Sequence, residues 1–292
     1  MLQRRHFGIA TAFSLAHTLA TFPTNTWGNA DDGSFHEQIA ALEVAARCRL
    51  GVYIIDTATG REYGHRPDER FMMLSSFKLL ASALVLARAE QGQDSLQRRI
   101  RYTREDLVTW SPVTEKHVGG EGLTLAQLCE ATITTSDNTA ANLILASYGG
   151  PAAVTAFARK LGDTVTRLDR TEPELNRPSG AAPLDTTTPR AMTRTLQTLL
   201  IGNALAASSR HTLLQWLKAN TTGDKRLRAG APADWAIGEK TGTNRTDAND
   251  IGIAWPPGRA PLLVSAYLAE STAPAAARDA ALAGVGRLMA RL

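Results

Sequence analysis

Three short segments carry side chains suited to covalent chemistry. Ser75-Ser76-Phe77-Lys78 sets a serine and a lysine three residues apart, which on a helix puts them on one face, a turn from each other. A serine hydroxyl is a poor nucleophile until its proton is taken, and a lysine held in a dry, cation-crowded site is neutral enough to help. The pair alone means little, because ordinary residue usage produces it by chance in chains of this size. Ser136-Asp137-Asn138 opens the stretch Thr139 to Leu145, and these residue types equally suit a helix N-cap, where they satisfy free amide groups. Lys240-Thr241-Gly242-Thr243 falls on a late strand. A glycine there lets a ligand approach the backbone, and a lysine with hydroxyls can hold a carboxylate. Standing alone, it would read as a strand ending in a turn.

The order of the three segments, each occurring once, changes their weight. Ser-x-x-Lys, Ser-Asp-Asn and Lys-Thr-Gly together resemble the signature of class A β-lactamases and penicillin-binding proteins. A fourth element separates these two groups. A polar, proline-bearing break runs from about Asp169 to Pro189, and Arg170-Thr171-Glu172-Pro173-Glu174-Leu175-Asn176 within it carries Glu-x-x-Leu-Asn. This resembles the omega loop of class A β-lactamases, which transpeptidases and carboxypeptidases lack. Asp185, nine residues past Asn176, matches the family aspartate that pairs with the loop arginine, here Arg170. The resemblance covers the chain from Phe35 to the terminal helix.

The resemblance implies a role for each matched residue. Ser75 is the acylated nucleophile, and its N–H with that of Thr243 forms the oxyanion hole. Lys78 hydrogen-bonds Ser75 and Glu172, and either Lys78 or Glu172, acting through a water, takes the serine proton during acylation. Glu172 and Asn176 hold the deacylating water. Ser136 relays a proton to the departing lactam nitrogen, and Asn138 contacts the substrate's side-chain amide. Lys240, Thr241, Gly242 and Thr243 line the carboxylate site, and Asn142 ties the omega loop down. The implied substrates and inhibitors are small β-lactams: penicillins and cephalosporins, with carbapenem turnover left open. No cofactor, metal or obligate oligomer is implied. Two rivals share the serine chemistry, a penicillin-binding peptidase and a non-hydrolytic β-lactam sensor, and neither has a use for Glu172 and Asn176.

The chain departs from the family pattern in three places. Where many members have an arginine on the strand after Lys-Thr-Gly, the aligned position is Asn249, and Arg226 is the expected substitute, against the alternative of a solvated surface charge. Trp110, Arg226, Thr243 and Trp110-Ser111-Pro112-Val113-Thr114-Glu115-Lys116 resemble class A carbapenemases, where Trp110 would stand at the site's rim; it could equally be a packed loop aromatic. The positions that those enzymes join by a disulfide are Leu74 and Asn244, so that bridge is absent. Cys129 matches a family cysteine whose occasional partner position is Ser82 here, which favours a free thiol.

Positioning these groups requires a sheet and a helical block. Phe35 to Arg47 has helical spacing, followed by a strand over Leu50 to Asp56, a turn at Thr57-Ala58-Thr59-Gly60 and a second strand over Arg61 to His65. From Ser75 to about Leu217 the pattern is helical. Strand character returns at Trp235 to Gly238, Asp250 to Trp255 and Pro261 to Tyr267, and Pro274 to Leu292 is an alanine-rich helix. Short turns between successive strands imply antiparallel pairing. The expected fold class is therefore α/β of the α+β type: a mainly antiparallel five-stranded sheet, flanking terminal helices, and an inserted all-α subdomain. The expected division is an α/β subdomain over 31–72 and 220–292 and an all-α one over 73–219.

Residues 1–30 read as a cleaved signal. Arg4-Arg5 precedes the apolar run Phe7 to Ala16, and Gly28 and Ala30 provide small residues at peptidase spacing. Cleavage after Ala20 competes. Arg4-Arg5-His6-Phe7 resembles a twin-arginine signal, though an ordinary charged leader looks nearly the same. The expected location is periplasmic or secreted, free of the membrane after cleavage. With 292 residues, 43% hydrophobic and 21% charged, the chain has apolar side chains enough for a sizeable core. Its net charge of +4 is scattered, and the longest basic cluster, Gln97-Arg98-Arg99-Ile100-Arg101, lacks interleaved aromatics, which argues against nucleic-acid binding. Cys48 and Cys129 read as free thiols. The histidines are dispersed along the chain, without the ligand spacing of a metal site.

Overall fold

The structure, a computed structural model, describes residues 30–292, with side chains from residue 33 onward. The leader expected over 1–30 lies, but for its last residue, outside the described residues. Helix α1 (Ala30–Ala46) leads into the hairpin β1 (Arg49–Asp56) and β2 (Glu62–His65), then a two-residue strand β3 (Phe71–Met72). The helical block holds α2 (Phe77–Glu90), the short pair β4 (Arg99–Ile100) and β5 (Leu123–Thr124), α3 (Leu125–Thr134), α4 (Asn138–Ser147) and α5 (Pro151–Lys160). It continues through the short β6 (Thr186–Thr187) to α6 (Pro189–Leu200) and α7 (Ala207–Lys218). A single turn, α8 (Leu227–Gly230), precedes β7 (Ala236–Thr243), β8 (Ala248–Trp255), β9 (Leu262–Ala269) and α9 (Ala275–Met289).

Five strands form one antiparallel sheet in the order β2-β1-β9-β8-β7. This is the fold class expected from the sequence. Strand β1 buries seven of its eight residues because both of its faces are covered. Leu50, Val52 and Ile54 join α1 and α9 in one core, while Tyr53 and Ile55 face the helical block in a second. The alternation of a strand thus feeds two cores at once, and the sequence shows a continuous apolar run. Helix α2 is buried on ten of fourteen residues, as its near-continuous apolar and small side chains require. It runs through the helical core with Ser75 and Lys78 at its entrance. Truncating Leu79 or Leu86 would cost about 2–5 kcal/mol and loosen the platform under the site.

Three local features depart from the pattern reading. The helix expected from Ser75 starts instead with a 3₁₀ turn over Leu74–Ser76. The strand signal at Trp235 to Gly238 runs on through Lys-Thr-Gly to Thr243, because each of those polar residues is paired with β8, as in Thr241↔Asp250 and Thr243↔Ala248. Strand β3 pairs with β6 (Phe71↔Thr187, Met72↔Thr186), a contact between distant segments too short to leave a periodic signal. No helix among the described residues is long and apolar enough to cross a membrane.

Candidate functional site

Ser75 sits on a forced turn. Met73 donates its N–H to the Asp185 carbonyl at 2.9 Å, and Leu74 follows at φ +48°, a left-handed conformation that costs a non-glycine residue energy and persists only where its surroundings impose it. Here they are the buried Leu74 side chain and strand β7 alongside. A Cβ on Gly242 would stand 2.9 Å from Leu74 Cβ and 3.2 Å from the Ser75 nitrogen. The glycine of Lys-Thr-Gly thus lets β7 pack against the backbone of Leu74 and Ser75, whereas the sequence suggested room for a ligand. Half-buried Ser75 donates its hydroxyl to Glu172 Oε1 at 3.1 Å.

Two buried lysines converge on one serine. Lys78 donates to the Ser136 carbonyl at 2.8 Å, to Ser136 Oγ at 3.3 Å and to Asn138 Oδ1, and its Nζ lies 3.1 Å from Glu172 Oε1. The expected Lys78–Ser75 hydrogen bond is not formed; both residues instead meet at Glu172 Oε1, because Lys78's donors are engaged by Ser136, Asn138 and the carboxylate. Lys240 reaches Ser136 Oγ from the other side at 3.1 Å. Burial holds the Lys78 ammonium below the usual lysine range, against the opposing pull of Glu172. Burial lowers Lys240 well below that range, and the charge of Lys78 adds to the effect.

The turn carrying Ser136 separates capping from chemistry. Asp137, fully buried, is the N-cap of α4 and accepts from the Ala140 N–H at 2.8 Å. The same carboxylate accepts from the Val113 and Thr114 N–H groups at 3.0 and 2.9 Å. Ser136, at φ +61°, is left facing the lysines. Sequence reasoning grouped the three residues and missed Asp137 as the one that fastens Trp110 to Thr114 onto α4. Asn138 is also held at both ends, since its Nδ2 donates to the Thr109 carbonyl at 2.8 Å while its Oδ1 accepts from Lys78. Trp110 is 65% exposed, with its indole N–H on the Thr135 carbonyl at 3.0 Å. It is therefore not a packed loop aromatic.

Glu172 is fixed through its backbone, which leaves its carboxylate for the site. The Asn142 side chain donates to the Glu172 carbonyl and accepts from the Glu172 N–H, each at 2.9 Å. The Glu172–Pro173 peptide is cis. Of the carboxylate oxygens, Oε1 faces Ser75 and Lys78, and Oε2 accepts from Asn176 Nδ2 at 2.6 Å. Asn176 Oδ1 is buried without a protein partner. Asp185 closes the loop, accepting from the Asp169 and Arg170 N–H groups at 2.7 and 2.9 Å and from Arg170 Nε at 2.6 Å. Such charge-assisted bonds are short and directional.

Arg226 is no surface charge. It is 7% exposed and donates to the Thr243 hydroxyl at 2.7 Å, to the Gly242 carbonyl at 2.9 Å and to the Asn249 carbonyl at 2.8 Å. Asp279 on α9 neutralises it at 2.9 Å. Asn249 turns its amide to the Met72 and Met73 carbonyls at 2.9 and 3.0 Å, and so supports the backbone that leads to Ser75. Thr241 shares a hydroxyl bond with Thr222. Lys240, Thr241, Thr243 and Arg226 therefore line one edge of the site.

Behind β7 lies a pair of carboxyl groups with no sequence signal. Alternation sends Lys240 toward Ser136 and its neighbour Glu239 to the opposite face, where Glu239 lies beside Asp250 and 3.0 Å from Arg228 Nη2. Both are fully buried. Burial, then the charge of Glu239, holds the Asp250 carboxyl well above the usual carboxylate range. The native state therefore keeps a proton that the unfolded chain releases above about pH 4, and the pair's contribution to stability falls as pH rises through that window. Asp250→Asn keeps the acceptor for the Leu227 N–H, which bonds Asp250 at 3.1 Å, and removes the titration. Its stability relative to wild type, from urea unfolding, is expected to rise between pH 4 and pH 7; a pH-independent difference would contradict the raised Asp250 pKa.

Cys48 and Cys129 are free, and Cys129 is fully buried. Leu74 is in the core, and Asn244 donates its side-chain amide to the Asn176 carbonyl at 3.2 Å, tying β7 to the omega loop at a position without a disulfide. Among the described residues no group of three or more His, Cys, Asp or Glu side chains is arranged to hold a metal ion.

Comparison with known proteins agrees with this geometry. A family profile described as "Beta-lactamase enzyme family" matches residues 34–291. Beta-lactamase L2 of Stenotrophomonas maltophilia is 46% identical over 307 residues, covering 100% of this chain and 99% of that protein. The carbapenem-hydrolyzing beta-lactamase KPC of Klebsiella oxytoca is 46% identical over 254 residues, 86% of each. Among solved structures, an ancestral (GNCA) class A β-lactamase superposes with a TM-score of 0.86 at 61% identity, covering 88% of this chain and 98% of that one. With Ser75, two buried lysines and the Glu172 carboxylate brought together, the chain belongs to the class A β-lactamases, the serine enzymes that hydrolyse β-lactam rings.

Proposed function

We propose that Ser75 opens the lactam ring as nucleophile and that Glu172 then drives hydrolysis of the ester. One observation carries this assignment: the Glu172 carboxylate spans from Ser75 to Asn176. The serine proton passes toward Glu172, the group its hydroxyl already faces, as Oγ bonds to the lactam carbonyl carbon. The N–H groups of Ser75 and Thr243 stabilise the oxyanion, each donor contributing about 10²–10³-fold to the rate. The C–N bond then breaks, and Ser136, poised between Lys78 and Lys240, supplies the proton to the leaving nitrogen and regains one from Glu172 through Lys78, which contacts both, so that Glu172 is again a carboxylate. In the second half-reaction Glu172 takes a proton from a water that Asn176 Oδ1 helps to hold. The hydroxide attacks the ester carbonyl, the bond from the acyl carbon to Ser75 Oγ breaks, and Glu172 returns its proton to that oxygen, which it already faces. A peptidase or sensor that keeps its acyl group has no role for this second carboxylate.

Lys240, Thr241, Thr243 and Arg226 receive the substrate carboxylate, Asn138 lines the wall that takes its side chain, and Trp110 forms the rim. Residues 1–30 direct export to the periplasm, where the mature chain acts as a monomer, its all-α part (73–219) set into the α/β part (31–72 and 220–292). The test is a hydrolysis panel on the mature protein with a penicillin, an oximino-cephalosporin and a carbapenem. Turnover of the first two is expected, and release of the acylated carbapenem reads out extension of the spectrum. Arg226→Ala is expected to lower kcat/KM by about tenfold to a hundredfold, the worth of hydrogen bonds to a charged group, chiefly through KM. An unchanged kcat/KM across the panel would remove Arg226 from the carboxylate site.

A further inference from the structure

The fold brings together two histidines that lie 29 positions apart in sequence. His36 is exposed on α1, and His65 ends β2 at 4% exposure. Their Nδ1 atoms are 3.1 Å apart, and the rings lean together with centroids 4.4 Å apart at an interplanar angle of 49°. The far nitrogen of His65, Nε2, lies 3.1 Å from Glu43 Oε2. Glu43 is itself anchored, its Oε1 accepting from the Leu50 N–H and from Arg66 Nε, each at 2.7 Å. Burial works against ionisation of Glu43, but these bonds outweigh it and hold the carboxyl below its usual range.

This carboxylate decides the tautomer of His65. A proton on Nε2 faces this anion at ion-pair distance, without hydrogen-bond alignment, and leaves Nδ1 its lone pair toward His36. A carboxylate behind a ring nitrogen is the arrangement that orients metal-bound histidines and raises their basicity. His36 needs only to move its proton to the solvent-facing Nε2 to offer a second lone pair at the same point. An ion about 2.0–2.1 Å from each nitrogen, the usual metal–imidazole distance, would subtend an angle just over a right angle across the observed 3.1 Å. That angle suits tetragonal or octahedral coordination better than tetrahedral, and imidazole pairs favour copper(II) and nickel(II).

We propose that His36 and His65 chelate a divalent transition ion, copper(II) foremost, clipping α1 to the β1–β2 hairpin at a site separate from the lactam cleft. Water completes the coordination shell on the exposed side.

The test is titration of the metal-stripped mature protein with copper(II) sulfate, followed by calorimetry and by electron paramagnetic resonance. The expected result is one saturable site whose spectrum carries hyperfine structure from two imidazole nitrogens, with magnesium(II) producing no signal. The Tm should rise with copper(II) in the wild type. His36→Ala changes an exposed side chain, leaves folding intact, and is expected to abolish the site and the Tm increase. Glu43→Gln is expected to weaken binding about 10–100-fold, the usual cost of losing a carboxylate behind a metal-bound histidine. Cys48→Ala, which removes the nearest thiol, is expected to leave binding unchanged. No saturable uptake, or uptake that survives His36→Ala, would overturn the assignment and leave the pair as a hydrogen bond alone.

Discussion

Glu172→Ala is expected to acylate with a penicillin and then stop. Removing the carboxylate takes away the base that activates water, a loss of about 10²–10⁴-fold for a positioned acid–base group. It also takes away the anion beside Lys78 at 3.1 Å, the interaction that most opposes the lowering of that lysine's pKa by burial. With its counter-charge gone, Lys78 loses its proton more readily and can serve as base for the first half-reaction. Acylation therefore survives while deacylation fails. Intact-protein mass spectrometry after mixing should show a persistent adduct on Ser75. Rapid return to free enzyme would refute the assignment of Glu172.

Asp137→Ala is expected to have the largest effect on stability of any single change at the site. Three backbone N–H groups, from Val113, Thr114 and Ala140, converge on this buried carboxylate, and the Thr114 hydroxyl adds a further bond at 2.9 Å. Alanine removes the cap of α4, typically about 1 kcal/mol, and strands amide groups whose buried loss costs about 1–3 kcal/mol each. Allowing for relaxation and water entry, the net loss is about 3–4 kcal/mol, or a fall in Tm of about 10 °C in a chain of this size. Calorimetry measures it. Because Ser136 and Asn138 flank the cap, kcat/KM should fall at temperatures where the variant is still folded. A fall in Tm of no more than a degree or two would show that the neighbouring segment does not depend on this anchor.

The reacting groups were legible in the sequence because their types and spacing are chemical requirements. Ser75, Lys78, Ser136, Glu172 and Lys240 each have few substitutes for what they do. The sheet was legible too, since Leu50 to Asp56 and Pro261 to Tyr267 are apolar runs bounded by turns. The agents that hold the reacting groups were hidden. Asp137 looked like one of three equivalent capping residues, and only the approach of Val113 and Thr114 from another segment distinguishes it. Gly242 reads as a space for ligand until Leu74 is seen against it. The Glu239–Asp250 pair and the two histidines depend on strand register and on the docking of α1, which no local pattern encodes. The Lys78–Ser75 bond failed as an expectation because helical spacing sets two side chains on one face but does not choose between competing acceptors.

Asp185 couples the two halves of the reaction. Its carboxylate closes the loop that carries Glu172, and its backbone carbonyl holds Met73, two residues before the nucleophile. Next to it, Thr186 pairs with Met72. Substitutions that enlarge the pocket by loosening this loop also relax the turn that presents Ser75. A variant selected to admit a bulkier lactam would then lose formation of the ester along with its release, and broader range and speed would have to be gained from different parts of the molecule.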